Sequence, residues 1–243
     1  MGRLMGREDP IRAPFFEIGP KAYSYGPSLL ELVQRTAVAA ADCGVQLIIT
    51  PQYVDVPTIV TGAPGVLVFA QHVDSLRPGR GVGSVLPEAV KAAGAHGVLL
   101  NHVERRLAHE DLVRTVARAN EVGLLTMVCA DDVDHALRIA KLAPEIIIVE
   151  DPRLIAGGQR DGAERGSSGH IDTAIRAVCP AIHVLHGAGI NGPADVYDVM
   201  RGGAEATGSS SAIFLAPDPI AMATAMIRAV RAGWDDATTA RRM

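Results

Sequence analysis

Residues 145–150 read EIIIVE, and this stretch decides how the rest of the chain is read. Its four central residues are all β-branched and apolar, so a strand here has no polar face to offer to water. Such a strand must be covered on both sides, which is the condition of a parallel sheet flanked by helices. The same kind of run recurs outward in both directions: FFEIG at 15–19, VQLIIT at 45–50, GVLVFA at 65–70, GVLLN at 97–101, LLTMVC at 124–129 and IHVLH at 182–186. An eighth, weaker candidate lies around 206–211. Most are continuously apolar rather than alternating.

Helical patterns fill the intervals. Apolar residues fall at helical spacing over 29–43 and 111–122, and Asp131 and Asp132 suit the start of a helix over 131–142. Pro193 and Pro219 open two more, over 193–200 and 219–230, as proline does in a first turn. Eight strands alternating with helices at roughly thirty-residue spacing is the pattern of βα units. Eight such units in 243 residues predict an α/β protein with a single (β/α)8 barrel domain. A doubly wound sheet is the competing architecture. It favours a glycine-rich loop after the first strand, and GPKAYSYG at 19–26 is not GxGxxG.

Composition narrows the partners. With 48% hydrophobic residues the chain can bury a large core, and a net charge of −4 with 4% aromatics gives no basic, aromatic-rich surface for nucleic acid. No apolar run reaches the length of a membrane span. Three scattered cysteines, Cys43, Cys129 and Cys179, have no metal-ligand spacing and read as reduced thiols of a cytoplasmic protein. Residues 1–13 carry charge but no apolar signal core, which predicts a poorly ordered leader ahead of a barrel domain at 14–243. Residues 156–169, AGGQRDGAERGSSG, read as a solvated loop placed where barrel enzymes carry lids.

In a barrel the C-terminal strand ends build the active site. Lys21 follows the first strand, His102, Glu104 and Arg105 follow the fourth, and Glu150 ends the sixth. An ammonium, an imidazole and a carboxylate on three strands are the set that moves a proton beside a carbonyl. The loops around Gly187 and Gly189 and at 208–211, with Ser210 and Ser211, precede helices and offer backbone N–H groups to a phosphate. Singly, each has an ordinary reading: a solvated lysine, a structural histidine, a Glu150–Arg105 ion pair, and turn-forming glycines and serines. Their coincidence at one edge favours a site.

With these residues in place, the chain resembles the triosephosphate isomerase family, most closely its shorter archaeal-type branch. The resemblance is carried by FAQHVD at 69–74, LPEAVKAAGA at 86–95, LLNHVERR at 99–106, IIIVEDPRLIAGG at 146–158, HGAGIN at 186–191 and SSA at 210–212. It implies that Glu150 is the base, His102 the electrophile, Lys21 the strand-one cation and Glu104 the carboxylate holding it. It implies phosphate contacts at Gly158, Gly189, Ser210 and Ser211, a closing lid at 151–158, and a homodimer or homotetramer with its interface at 74–83. No metal and no organic cofactor is implied. The chain departs from the family pattern at Gly19, where asparagine is usual, at Val103, where serine is usual, and at Ala156-Gly157, where Gly-Thr is usual. Gly19 enlarges and depolarises the site. Three readings therefore stand: an isomerase of triose phosphate, a paralogue acting on a four- or five-carbon ketose phosphate, and a non-catalytic protein that binds a phosphorylated metabolite.

Overall fold

The structure is a computed structural model that describes residues 10–150 and 162–240. Eight strands form a closed parallel barrel in chain order. They are β1 (Phe15–Ile18), β2 (Gln46–Ile49), β3 (Leu67–Ala70), β4 (Gly97–Leu100), β5 (Leu125–Ala130), β6 (Ile146–Val149), β7 (His183–His186) and β8 (Ala206–Ser209). The apolar runs are strands because alternate residues enter two different cores. Phe15, Ile48, Phe69, Met127, Ile146, Ile148 and Leu185 fill the barrel interior. Phe16, Leu47, Val68, Val128, Ile147 and Val184 face the surrounding helices. The weak eighth run, Ala-Thr-Gly-Ser, becomes a strand through its neighbours: it pairs with β1 over its whole length and with the end of β7.

The helices are α1 (Gly26–Cys43), α2 (Val56–Gly62), α3 (Pro87–Ala92), α4 (His109–Glu121), α5 (Val133–Ala140), α6 (Gly162–Val178), α7 (Pro193–Arg201), α8 (Ser211–Phe214) and α9 (Pro219–Ala240). Local chemistry sets several boundaries. Gly44 adopts the left-handed conformation that stops α1. Asp132 accepts a bond of 2.6 Å from the N–H of His135 and so caps α5.

Two expectations are revised. The loop expected over 156–169 is helical from Gly162 onward. Glycine and serine there signal only weak intrinsic propensity, whereas packing decides. Ile175 is fully buried, Ile171 packs beside it, and Asp172 meets His186 at 2.9 Å. The leader expected over 1–13 is tied down in its last part. Ile11 is 3% exposed and belongs to the inner core, at the end of the barrel where the strands begin. Gln46 clamps the segment by accepting from the N–H of Arg12 and donating to the carbonyl of Pro10, both at 2.8 Å. An open barrel end exposes apolar interior, and an isoleucine plugs it. Residues 1–9 lie outside the described residues.

Gly97 shows how tightly the wall is packed. A Cβ there would stand 2.4 Å from the Phe69 ring and 2.7 Å from the carbonyl oxygen of Leu125. The second contact is backbone on the paired strand and cannot rotate away. Gly97→Ala is expected to lower the unfolding free energy by about 1–3 kcal/mol, seen as a lower urea midpoint at unchanged slope.

Candidate active site

A cavity of about 390 Å³ opens at the C-terminal end of the strands. Lys21, His102, Glu104, Glu150, Gly187, Gly189, Ser210 and Ser211 all line it. These are the positions expected from the sequence, apart from Gly158, which with the expected lid lies outside the described residues.

The chain leaves β1 in an unusual conformation. Lys21 has φ of 47°, a left-handed value that non-glycine residues rarely adopt. Its carbonyl accepts hydrogen bonds from the side-chain amides of Gln52 and Gln71, each at 2.9 Å. Gln71 also donates to the Thr50 carbonyl, so the ends of β1, β2 and β3 are tied together. The Lys21 ammonium meets Glu104 at 2.8 Å, and this bond holds the Glu104 carboxyl below its ordinary range.

His102 follows Asn101, which has φ of 60° and spans the loop with two bonds. Its amide donates to the Cys129 carbonyl, and its oxygen accepts from the N–H of Leu107, both at 3.0 Å. The N–H of Glu104 points at Nδ1 of His102, 3.2 Å away. A ring nitrogen that accepts a backbone proton carries none itself, so the neutral ring bears its proton on Nε2. Burial, followed by the nearby Lys21 charge, pushes the His102 pKa below the ordinary histidine value and favours that neutral form.

Nε2 of His102 stands 3.9 Å from Oε2 of Glu150. The Glu150 side chain is 15% exposed, and burial raises its pKa above the usual carboxylate range against the opposing pull of Lys21. It also takes a hydrogen bond from the buried Cys129 thiol, whose own pKa burial drives far upward, so that it remains a donor. At the end of the neighbouring strand β7, Gly187 leaves room for this carboxylate: a Cβ there would lie 3.2 Å from Oε1. Arg105 reaches toward Asp74 at 4.0 Å rather than Glu150, and Arg106 pairs with Asp131.

Further along the same loop after β7, Gly189 turns the chain with φ of 71°. β8 runs into Ser210, whose hydroxyl is buried and has no hydrogen-bond partner among the described residues. A buried donor left without a partner beside an open cavity suits a ligand oxygen.

Sequence reading missed several members of this site. Cys129, Gln52, Gln71 and Thr50 act through neighbours and carry no signal of their own. Glu17 does carry one, as the single charge in FFEIG. It lies inside β1, partly accessible from the cavity, and accepts a bond of 2.7 Å from the Thr50 hydroxyl. Burial, with a smaller contribution from Glu150, raises its pKa from 4.5 to about 7 against the opposing Thr50 bond.

Such a mouth can move a proton between carbons next to an oxygen, which places the chain among barrels built for proton transfer. Comparison with known proteins narrows the class. The family profile described as triosephosphate isomerase matches residues 19–200. A second profile, thiazole biosynthesis protein ThiG, matches only 158–243, the part that carries the last two loops. A triosephosphate isomerase of Methanopyrus kandleri is 39% identical over 86% of this chain and 94% of its own length. That of Sulfurisphaera tokodaii is 35% identical over 86% and 92% respectively. The crystal structure of triosephosphate isomerase from Bartonella henselae superposes with a TM-score of 0.73, covering 90% of this chain and all of the other, at 15% identity. The chain belongs to the triosephosphate isomerase family.

Glu17 makes the folded protein sensitive to pH. Its folded pKa lies above the unfolded value, so the stability it contributes is present below about pH 4.5 and is lost as pH rises through about 7. Glu17→Gln removes this dependence. Between pH 5 and pH 8 the unfolding free energy of the variant should rise relative to wild type by about 2–3 kcal/mol. Urea titrations at the two pH values measure the difference, and an unchanged gap would mean that Glu17 does not titrate in this range.

Proposed function

We propose that the chain is an aldose–ketose isomerase that interconverts glyceraldehyde 3-phosphate and dihydroxyacetone phosphate, in the cytoplasm and as a homodimer or homotetramer. The observation that carries this reading is the facing pair of Glu150 and His102. At 3.9 Å they are too far apart to bond directly, and both line the cavity, where they can address adjacent atoms of a substrate lying against the pair.

The steps follow from the protonation states. The Glu150 carboxylate takes a proton from the carbon beside the carbonyl, the C–H electron pair becomes the new C=C bond, and the C=O π pair moves onto the oxygen to give an enediolate. The Nε2–H of His102 donates to that oxygen and carries a proton between the two oxygens. Glu150, now protonated, returns its proton to the neighbouring carbon. The raised pKa of Glu150 strengthens it as a base and is the direction general-base catalysis requires. Lys21 offsets the developing negative charge, held in place by Glu104. The phosphate rests against Gly187, Gly189, Ser210 and Ser211, where the Ser210 hydroxyl awaits a partner. The loop after β3 presents Val82 fully exposed and suits an interface between copies.

A coupled assay with glyceraldehyde 3-phosphate tests the reaction. Glu150→Gln should lower kcat by about 10²–10⁴-fold, and undiminished turnover would remove Glu150 from the role of base. Glu150→Asp withdraws the carboxylate by one methylene, and a displacement of about 1 Å is worth roughly a hundredfold in rate. His102→Gln should depress kcat far more than it raises KM, because the contact strengthens only as the enediolate forms. A variant altered mainly in KM would make His102 a binding residue instead.

A further inference from the structure

We propose that Glu17 is a specificity-determining residue that hydrogen-bonds a hydroxyl of a sugar phosphate one carbon longer than a triose phosphate, so that the pocket takes a phosphorylated four-carbon aldose or ketose. The inference rests on reading the mouth as an isomerase site and goes beyond it in naming the substrate class.

Two glycines frame this carboxyl. Gly208 lies opposite Glu17 in the β1–β8 ladder, and a Cβ on it would fall 2.8 Å from Oε2 and 2.9 Å from the Glu17 carbonyl. No side chain fits at 208 while Glu17 stands where it does. Gly19 lies two residues further along the chain, on the same inward-facing parity. A Cβ there would lie 3.1 Å from Oε1. With no side chain at 19, the carboxyl is open to the mouth above it.

The carboxyl is only half satisfied. Oε1 takes the Thr50 hydroxyl at 2.7 Å, whereas Oε2 has no hydrogen-bond partner among the described residues. At this depth the same cavity is walled by Leu99, Ile148 and Leu185. Oε2 is reachable from the cavity, so a polar group of a bound ligand can take the place of water at this oxygen.

The chemistry of the site limits what that can be. An anion is disfavoured, because Glu150 already adds to the negative potential at Glu17. A neutral hydroxyl suits both forms of the group, since it can donate to the carboxylate and accept from the acid. Apart from its phosphate ester, a triose phosphate has two oxygens. Both sit on the reacting carbons and are used by His102 and Lys21. A third oxygen requires another hydroxylated carbon. The Glu17 carboxyl rises to the level of Gly19, where a Cβ would stand 3.1 Å from Oε1, so it meets the floor of the mouth rather than lying a strand's depth below it.

The test compares kcat/KM for glyceraldehyde 3-phosphate and D-erythrose 4-phosphate. Wild type should turn over both. Glu17→Leu should lower the four-carbon to three-carbon ratio at least tenfold, Glu17→Gln should largely restore it, and Gly19→Asn, which fills the opening, should lower it again. Binding to wild type gives a measurement independent of variant folding. A four-carbon phosphorylated hydroxamate should bind at least as tightly as its three-carbon analogue. Turnover of the triose phosphate without the tetrose phosphate, an unchanged ratio in Glu17→Leu, or tenfold weaker binding of the longer hydroxamate each overturns the inference and leaves the isomerase reading intact. Turnover of neither substrate overturns both.

Discussion

Two carboxylates, Glu17 and Glu150, sit in the barrel without a cation in hydrogen-bond contact among the described residues, and the mouth is arranged around the cost of keeping them there. Burial is the largest influence on each and pushes both toward the protonated form. Each is relieved by one neutral donor, the Thr50 hydroxyl for Glu17 and the Cys129 thiol for Glu150. Each is given space by a glycine on an adjacent strand, Gly208 for Glu17 and Gly187 for Glu150. A neutral donor supports a carboxylate without pinning its charge as an ammonium in contact would. The result is a group whose affinity for a proton is raised above that of an ordinary carboxylate, the direction general-base chemistry needs.

The fold was legible in the sequence because both faces of every strand are buried. EIIIVE and its relatives could only be central strands of a covered parallel sheet, and closure of eight such units follows from their number. β8 was faint for the converse reason: Ala-Thr-Gly-Ser has little strand propensity and is held by ladders on either side. The span of α6 was hidden because its amino-terminal residues are poor helix formers, while the contacts that secure it, Ile175 in the shell and Asp172 against His186, are distant in sequence. Ile11 was hidden because one isoleucine carries no periodicity.

The site was legible where charge stood against an apolar background. Lys21, His102, Glu104 and Glu150 each break an apolar run at its C-terminal end, and the structure gathers them around one cavity. Glu17 broke such a run too. What sequence could not supply was its facing. When both sides of a strand are apolar, nothing in the pattern says which side looks into the barrel, and the parity becomes readable only once Lys21 and Gly19 are fixed at the mouth. Gln52 and Gln71 were beyond reach for another reason. They bond a backbone carbonyl, and a carbonyl leaves no trace in the identity of its residue.

Glu104 joins the imidazole and the ammonium of the site through different parts of one residue. Its backbone N–H faces Nδ1 of His102 and leaves the ring proton on Nε2, toward Glu150. Its carboxylate holds the Lys21 ammonium. The loop that sets the tautomer of the imidazole therefore also positions a charge that, after burial, helps to keep that imidazole neutral. The left-handed backbone at Lys21 makes sense in the same light. Glycine would meet that φ without strain, but it would leave Glu104 without its cation and His102 without the neighbour that depresses its pKa. The strain is held instead by the two glutamine amides on the Lys21 carbonyl, and the charge required for the chemistry stays where the backbone least favours a side chain.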